Sequence, residues 1–225
     1  MITSKRMNNQ MNYNHKEKIN LDFTSKDLRR SNCFNCDFSG SYFDQTSFRG
    51  AQFKGCKFTG CTFNAAELVA VNFKKSSFKQ VTFENTLFDS VNLEGVNFEG
   101  ATFKNVIFVA TDLSRAVNLE LSGQDVKVFD EMPNFDMSRE LEKAAKTAMK
   151  NEFVKYARVL DTKEGQVSPI SIMRLLEEFD EQTLIEGLKI IKNDIDKDFC
   201  TLTTIIEAIK AMTQLNKLDC EKVNV

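Results

Sequence analysis

The chain has 225 residues, a formal net charge of −2 and 42% hydrophobic residues, enough apolar content for one or two packed domains and too much for a disordered polymer. No apolar run approaches the ~20 residues that a membrane-spanning helix needs, and six cysteines in a chain this long do not describe a disulfide scaffold. Charge is unevenly spread: residues 19–115 are balanced at 11 basic and 10 acidic side chains, whereas residues 116–225 carry 15 and 21.

The opening segment, residues 1–18 (MITSKRMNNQMNYNHKEK), is polar and reads as a flexible tail. It has no hydrophobic stretch suited to a secretory signal, so a cytoplasmic location is expected, with export by a specialised secretion system left open.

From Phe23 to Leu113 an apolar residue stands at every fifth position without a break, nineteen in all, fourteen of them Phe. Phe38, Phe43, Phe48, Phe53, Phe58, Phe63, Phe73, Phe78, Phe83, Phe88, Phe98, Phe103 and Phe108 form the predicted core ladder. The residue two places earlier is mostly small or β-branched, as at Ser31, Cys36, Ser41, Thr46, Ala51 and Val71; Leu21 and Lys26 are exceptions. A period of five suits neither a helix nor a flat strand. Fixed-period self-similarity predicts a solenoid in which each unit is stabilised by its neighbours. Each buried Phe contributes roughly 1.5–3 kcal/mol before entropy is subtracted.

The units CDFSG, AQFKG, VNLEG, VNFEG and TDLSR resemble the A(D/N)LXX unit of pentapeptide-repeat proteins, over roughly residues 19–116. The resemblance implies a β-solenoid: a right-handed, four-sided parallel β-helix of twenty residues per coil, here about five coils. Residues twenty apart then share a column, as do Phe43, Phe63 and Phe83, or Phe38, Phe58 and Phe78.

The outward columns sort in the same way. Glu84, Asp89, Glu94 and Glu99 form a ring of carboxylates, but Lys74 falls under Glu94, Lys79 under Glu99 and Lys104 over Glu84. Opposite charges one strand spacing apart are expected to pair. Val69, Leu87, Ile107 and Val109 point outward from one side and make a candidate apolar docking patch, to be covered by the C-terminal part or by a second copy. A basic group (Arg29, Arg30, Arg49, Lys54, Lys74 and Lys75) has no aromatic stacking platform, which disfavours direct nucleic-acid binding.

After Leu113 the register fails, with Asn118 where an apolar residue belongs. The repeat domain is therefore bounded at residues 19–118, followed by a linker or end cap over 119–137 whose Val126, Val128 and Phe129 lie across the open end. From residue 138 to 225 the period becomes helical and predicts a small α-helical domain. One long helix spans Leu141 to Leu160, a second starts at Ser168-Pro169, Asp180 caps a third, and a fourth carries Leu202 to Leu215.

Catalytic machinery is not visible. The single His15 lies in the polar tail, and Cys33 and Cys36, although spaced C-x-x-C, fall at inward positions together with Cys56 and Cys61. Asp194 to Phe199 imitates the start of a calcium loop, but Phe199 replaces the required glycine and Ile205 the closing glutamate. No cofactor, metal or catalytic residue is predicted. The expected function is a non-enzymatic protein-interaction or scaffold module with an unknown partner, with homodimerisation through the apolar patch open. One alternative comes from the resemblance: some such proteins mimic DNA, bind type II topoisomerases and protect them from quinolones, and FNCDFSG (Phe34–Gly40) is similar to their units. A neutral rod, lysine-paired carboxylates and the absence of projecting loops disfavour that partner. A bacterial effector, exported and using the rod to position its helices, is the further alternative.

Overall fold

In this computed structural model residues 9–223 are described, with side chains to residue 214. The chain divides between Met132 and Pro133 into two compact units.

The first unit is a β-solenoid in which every parallel pairing joins residues twenty apart, from Tyr13↔Cys33 through Phe63↔Phe83 to Phe108↔Val128. Its first wall carries β1 (Asn12–Asn14), β2 (Asn32–Phe34) and β3 (Gln52–Lys54). The second wall is held by single bridges such as Asp37↔Lys57 and Ser77↔Asn97. On the third lie β4 (Thr62–Asn64), β6 (Thr82–Glu84) and β8 (Thr102–Lys104). The fourth holds β5 (Glu67–Val69), β7 (Leu87–Asp89), β9 (Val106–Val109) and β10 (Val126–Phe129).

Three local rules written in the repeat make the prism. The corner residue comes first: from His15 to Ala110 every fifth residue has φ between +46° and +70°, and six of these twenty are glycine. A side chain in that left-handed region costs roughly 1–2 kcal/mol, so the corners are held by what the walls bury. Second, Asp or Asn just before the central residue closes an Asx turn. Asp22, Asp37, Asn72, Asn92 and Asn97 each accept from the backbone N–H two residues on, at 2.8–3.0 Å. Third, the small inward slot supplies a donor. Thr46, Ser76 and Thr86 Oγ and Cys61 Sγ each donate to the carbonyl of the residue 23 positions earlier, Phe23, Phe53, Phe63 and Phe38 respectively. Small polar residues thus fill the slot without stranding a buried polar group.

The rings stack as the column arithmetic requires. Phe38, Phe58 and Phe78 lie 5.4 and 5.1 Å apart along one column, and Phe43, Phe63, Phe83 and Phe103 are 5.1–5.3 Å apart along another. Phe58 also meets Phe43, Phe53, Phe63 and Phe73 within its own and adjoining coils. All thirteen predicted ladder rings are buried.

The solenoid has about six turns, over residues 12–129, rather than five over 19–118. At the N-terminal end, β1 pairs with β2 and Glu17 bridges to Asp37, so residues 12–18 are a coil rather than a tail; residues 1–8 of that segment lie outside the described residues. This coil escapes a hydrophobic pattern because Tyr13 and Lys18 take its central places, the Lys18 ammonium resting 4.9 Å from the Tyr13 ring centre. At the other end, 119–137 is no simple linker. Val126, Val128 and Phe129 do not cross the tube: β10 extends the fourth wall beside β9, and Leu119 and Leu121 pack against the core with Val126.

The second unit contains α1 (Arg139–Ala148), α2 (Glu152–Ala157), α3 (Pro169–Glu178), α4 (Glu181–Asp194) and α5 (Thr203–Val223). Ser168 and Asp180 cap α3 and α4 as expected, accepting from Ser171 and Thr183 N–H. The single long helix predicted from Leu141 to Leu160 is instead two. Asn151 breaks it: its Oδ1 accepts from the N–H groups of Phe153 and Val154 at the start of α2, while its Nδ2 donates to the carbonyls of Lys192 and Ile195 at the end of α4. One buried amide therefore caps two helices. Leu141, Val154, Ile172, Leu184, Leu188 and Ile205 centre the core. A Cβ on Gly187 would sit 2.7 Å from Ile209 Cγ1, so glycine sets the α4–α5 approach. Leu215, expected on the last apolar face, lies beyond the described side chains.

Candidate functional site

The carboxylate ring is paired as its columns predict. Lys74 reaches Glu94 at 2.9 Å, Lys79 reaches Glu99 at 2.6 Å and Lys104 reaches Glu84 at 2.6 Å. Arg115 adds a second cation to Glu94 at 2.9 Å. The Glu94 carboxyl is held below its usual range, first by the Lys74 hydrogen bond, then by the charge of Arg115, against partial desolvation that raises it. The Lys104 ammonium is shifted up, above all by its hydrogen bond to Glu84. Within the basic group, Arg29 pairs with Asp27 at 2.5 Å and Arg49 with Glu67 at 3.9 Å, and Lys54 lies over the Phe34 ring. The solenoid thus displays short cross-coil ion pairs rather than a field of one sign.

Val69, Leu87, Ile107 and Val109 share the fourth wall, with Leu87 directly beside Ile107 and Asp89 between the two valines. None is open: Val69 and Leu87 are 7% exposed, Ile107 3% and Val109 0%. Asp27, Ser47 and Glu67, which continue the Leu87 column, are buried as well. Elsewhere the outward columns stay open. Tyr42 on the third wall is 52% exposed, with Thr82 and Thr102 exposed above it. The register placed the patch on one wall; exposure is not a property of the register.

Cys33, Cys36, Cys56 and Cys61 are free, buried thiols. Burial pushes Cys33, Cys56 and Cys61 up to about 12, far from the thiolate that redox or nucleophilic chemistry needs. Their sulfurs serve the backbone instead, as Cys56 does toward the Cys33 carbonyl at 3.4 Å. Among the described residues no three His, Cys, Asp or Glu side chains gather as metal ligands, and no helix is long and apolar enough to cross a membrane. The Asp194–Phe199 stretch is a helix boundary: α4 ends at Asp194 and Ile195 caps it.

The helical unit holds a concavity of about 390 Å³ lined by Met149, Lys150, Val154, Lys155, Leu160, Asp161 and Gly165. Nothing periodic in the sequence flags it, because it forms where the expected long helix breaks.

No curated protein matches this chain. Among solved structures it is similar to a pentapeptide repeat protein, Rfr23, from the cyanobacterium Cyanothece, at 15% identity and a TM-score of 0.31 over 44% of this chain and 85% of that one. HetL from the cyanobacterium Nostoc, involved in heterocyst differentiation regulation, matches at 20% identity and 0.28 over 54% and 52%; the match spans about half of HetL. QnrB1, a plasmid-mediated fluoroquinolone resistance protein, matches at 14% identity and 0.25 over 52% and 91%. Residues 26–103 match the family described as pentapeptide repeat region, and with the five-residue register, the twenty-residue coil and the Asx-turned units this identifies the solenoid as a pentapeptide repeat region.

Proposed function

We propose that this chain is a non-enzymatic scaffold whose solenoid presents fixed rows of side chains to a protein partner. The observation that carries this reading is the unbroken register. Six coils hold their outward residues in columns one strand spacing apart, while the inward thiols are buried. Val69, Leu87, Ile107 and Val109 are buried, so the presenting surface is assigned to the open third wall around Tyr42, Thr82 and Thr102. Affinity capture on the full chain, compared with a Thr82→Arg/Thr102→Arg variant, tests it. The wild type is expected to retain a protein that the variant loses; no retained protein, or equal retention by both, sinks the assignment.

The DNA-mimic alternative needs an uncompensated acidic surface, and Glu84, Glu94 and Glu99 are each paired with lysine. A gyrase supercoiling assay with and without quinolone is expected to show neither inhibition nor protection. Protection would restore the topoisomerase reading.

A further inference from the structure

The concavity of the helical unit has the chemistry of a binding site. Its floor is apolar, from Met149 at the end of α1, Val154 on α2 and Leu160 beyond it. Two ammonium groups, Lys150 and Lys155, line it, and neither has a carboxylate partner among the described residues. Asp161 completes the lining with its two oxygens differently placed. Oδ2 is engaged by Arg158, 2.9 Å from Nε, whereas Oδ1 is buried and has no hydrogen-bond donor. A buried acceptor without a donor calls for a missing partner.

The wall that carries Asp161 is built to stay in place. Arg158 ends α2 at φ +61°, a left-handed conformation rare for a long side chain. From there its guanidinium also donates to the Thr162 carbonyl at 2.7 Å. Asp161 bridges to Val167, and Thr162 N–H donates to Gln166 O, closing a tight turn through Gly165.

We propose that this concavity binds a small apolar carboxylate with an N–H donor beside the carboxylate, the chemistry shared by an N-acylated apolar amino acid and the carboxy terminus of a peptide. The apolar side chain packs on Met149 and the stems of Lys150 and Lys155, the carboxylate sits between the two ammonium groups, and the N–H donates to the Asp161 carboxylate at its exposed edge. The volume matches sites of this kind, which hold an apolar body and fix it with a few polar groups.

The test is a titration of the full ¹⁵N-labelled chain with N-acetyl-L-leucine, read by amide chemical shifts. Perturbations are expected within residues 149–165. Affinity is expected to fall about tenfold or more for N-acetyl-L-leucinamide, which lacks the carboxylate, and for 4-methylpentanoate, which lacks the N–H. Lys150→Glu with Lys155→Glu is expected to weaken binding by at least about tenfold at unchanged melting temperature, since both side chains are exposed. If the double variant fails to fold, the single variants and the two comparison ligands still decide. No perturbation up to ~20 mM, equal affinity for the amide, or wild-type affinity in the charge-reversed chain overturns the proposal. A tetrapeptide ending in leucine separates the sources: tighter binding than N-acetyl-L-leucine assigns the site to a protein terminus, and equal or weaker binding assigns it to a small molecule.

Discussion

The two units of this molecule solve stability in opposite ways. The solenoid repeats one small solution: a ring against the ring twenty residues away, an Asx turn, a left-handed corner. The helical unit depends on contacts that occur once, such as the Asn151 amide that caps both α2 and α4, or Gly187 against Ile209. Repetition spreads stability over many equivalent positions, as expected for a structure held by nearest-neighbour interfaces. Unique contacts concentrate it.

The sharpest way to break that comparison is to remove a ring from mid-solenoid. Phe58→Ala is expected to cost about 3–5 kcal/mol, and Phe78→Ala about the same, because both rings are fully buried in equivalent surroundings. Urea denaturation of the two variants checks it, and a large inequality between them would show that the coils are not interchangeable. In the helical unit, Asn151→Ala is expected to cost about 2–4 kcal/mol, since it strips a cap from α2 and removes the amide donor from the Lys192 and Ile195 carbonyls at the end of α4. Thermal unfolding followed by helical circular dichroism reads it directly. A near-neutral result would mean that water replaces the amide.

Smaller effects sharpen the picture of the corners. Gly40 and Gly60 both have φ +69°, but a Cβ on Gly40 would collide with Asn20 Oδ1, whereas one on Gly60 would meet nothing within 4 Å. Gly60→Ala is expected to cost about 1 kcal/mol and Gly40→Ala about 1–3 kcal/mol, the difference in denaturation midpoint isolating the clash from the backbone conformation. The smallest expected effect is electrostatic. Glu94, whose carboxyl lies below its usual 4.5, stabilises the fold above that value and loses the contribution as pH falls through its lower folded value. Glu94→Gln is therefore expected to lower the midpoint slightly at neutral pH and to match the wild type well below pH 4.5, with added salt shrinking the neutral-pH difference.

What could be read in advance follows the same division. Ion pairs such as Lys79–Glu99 were found by counting twenty residues, because in a solenoid sequence distance is spatial distance. The end coils were missed where polar side chains took central places: Lys18 in the first, Asn118 in the last. Helix starts at Ser168 and Asp180 were legible because capping is local. The break at Asn151 was not, since its amide answers carbonyls more than forty residues away. The same holds for exposure: the column of Leu87 and Ile107 was correctly placed, yet the burial of their outer sides is set by tertiary structure that carries no period. The Lys150, Lys155 and Asp161 cavity belongs to this second class.

The positive-φ corners at every fifth residue mean that the wall, not the coil, is the smallest unit that can be lost. Excising five residues would return each following ring to an inward slot, but one side further round, so the tube would survive while everything above the cut made a quarter turn. Lys74 would then no longer stand beneath Glu94 if the excision fell between them. Excising twenty would shorten the tube and leave each side's sequence of columns aligned. In such a molecule, the length of a deletion selects what the surface shows.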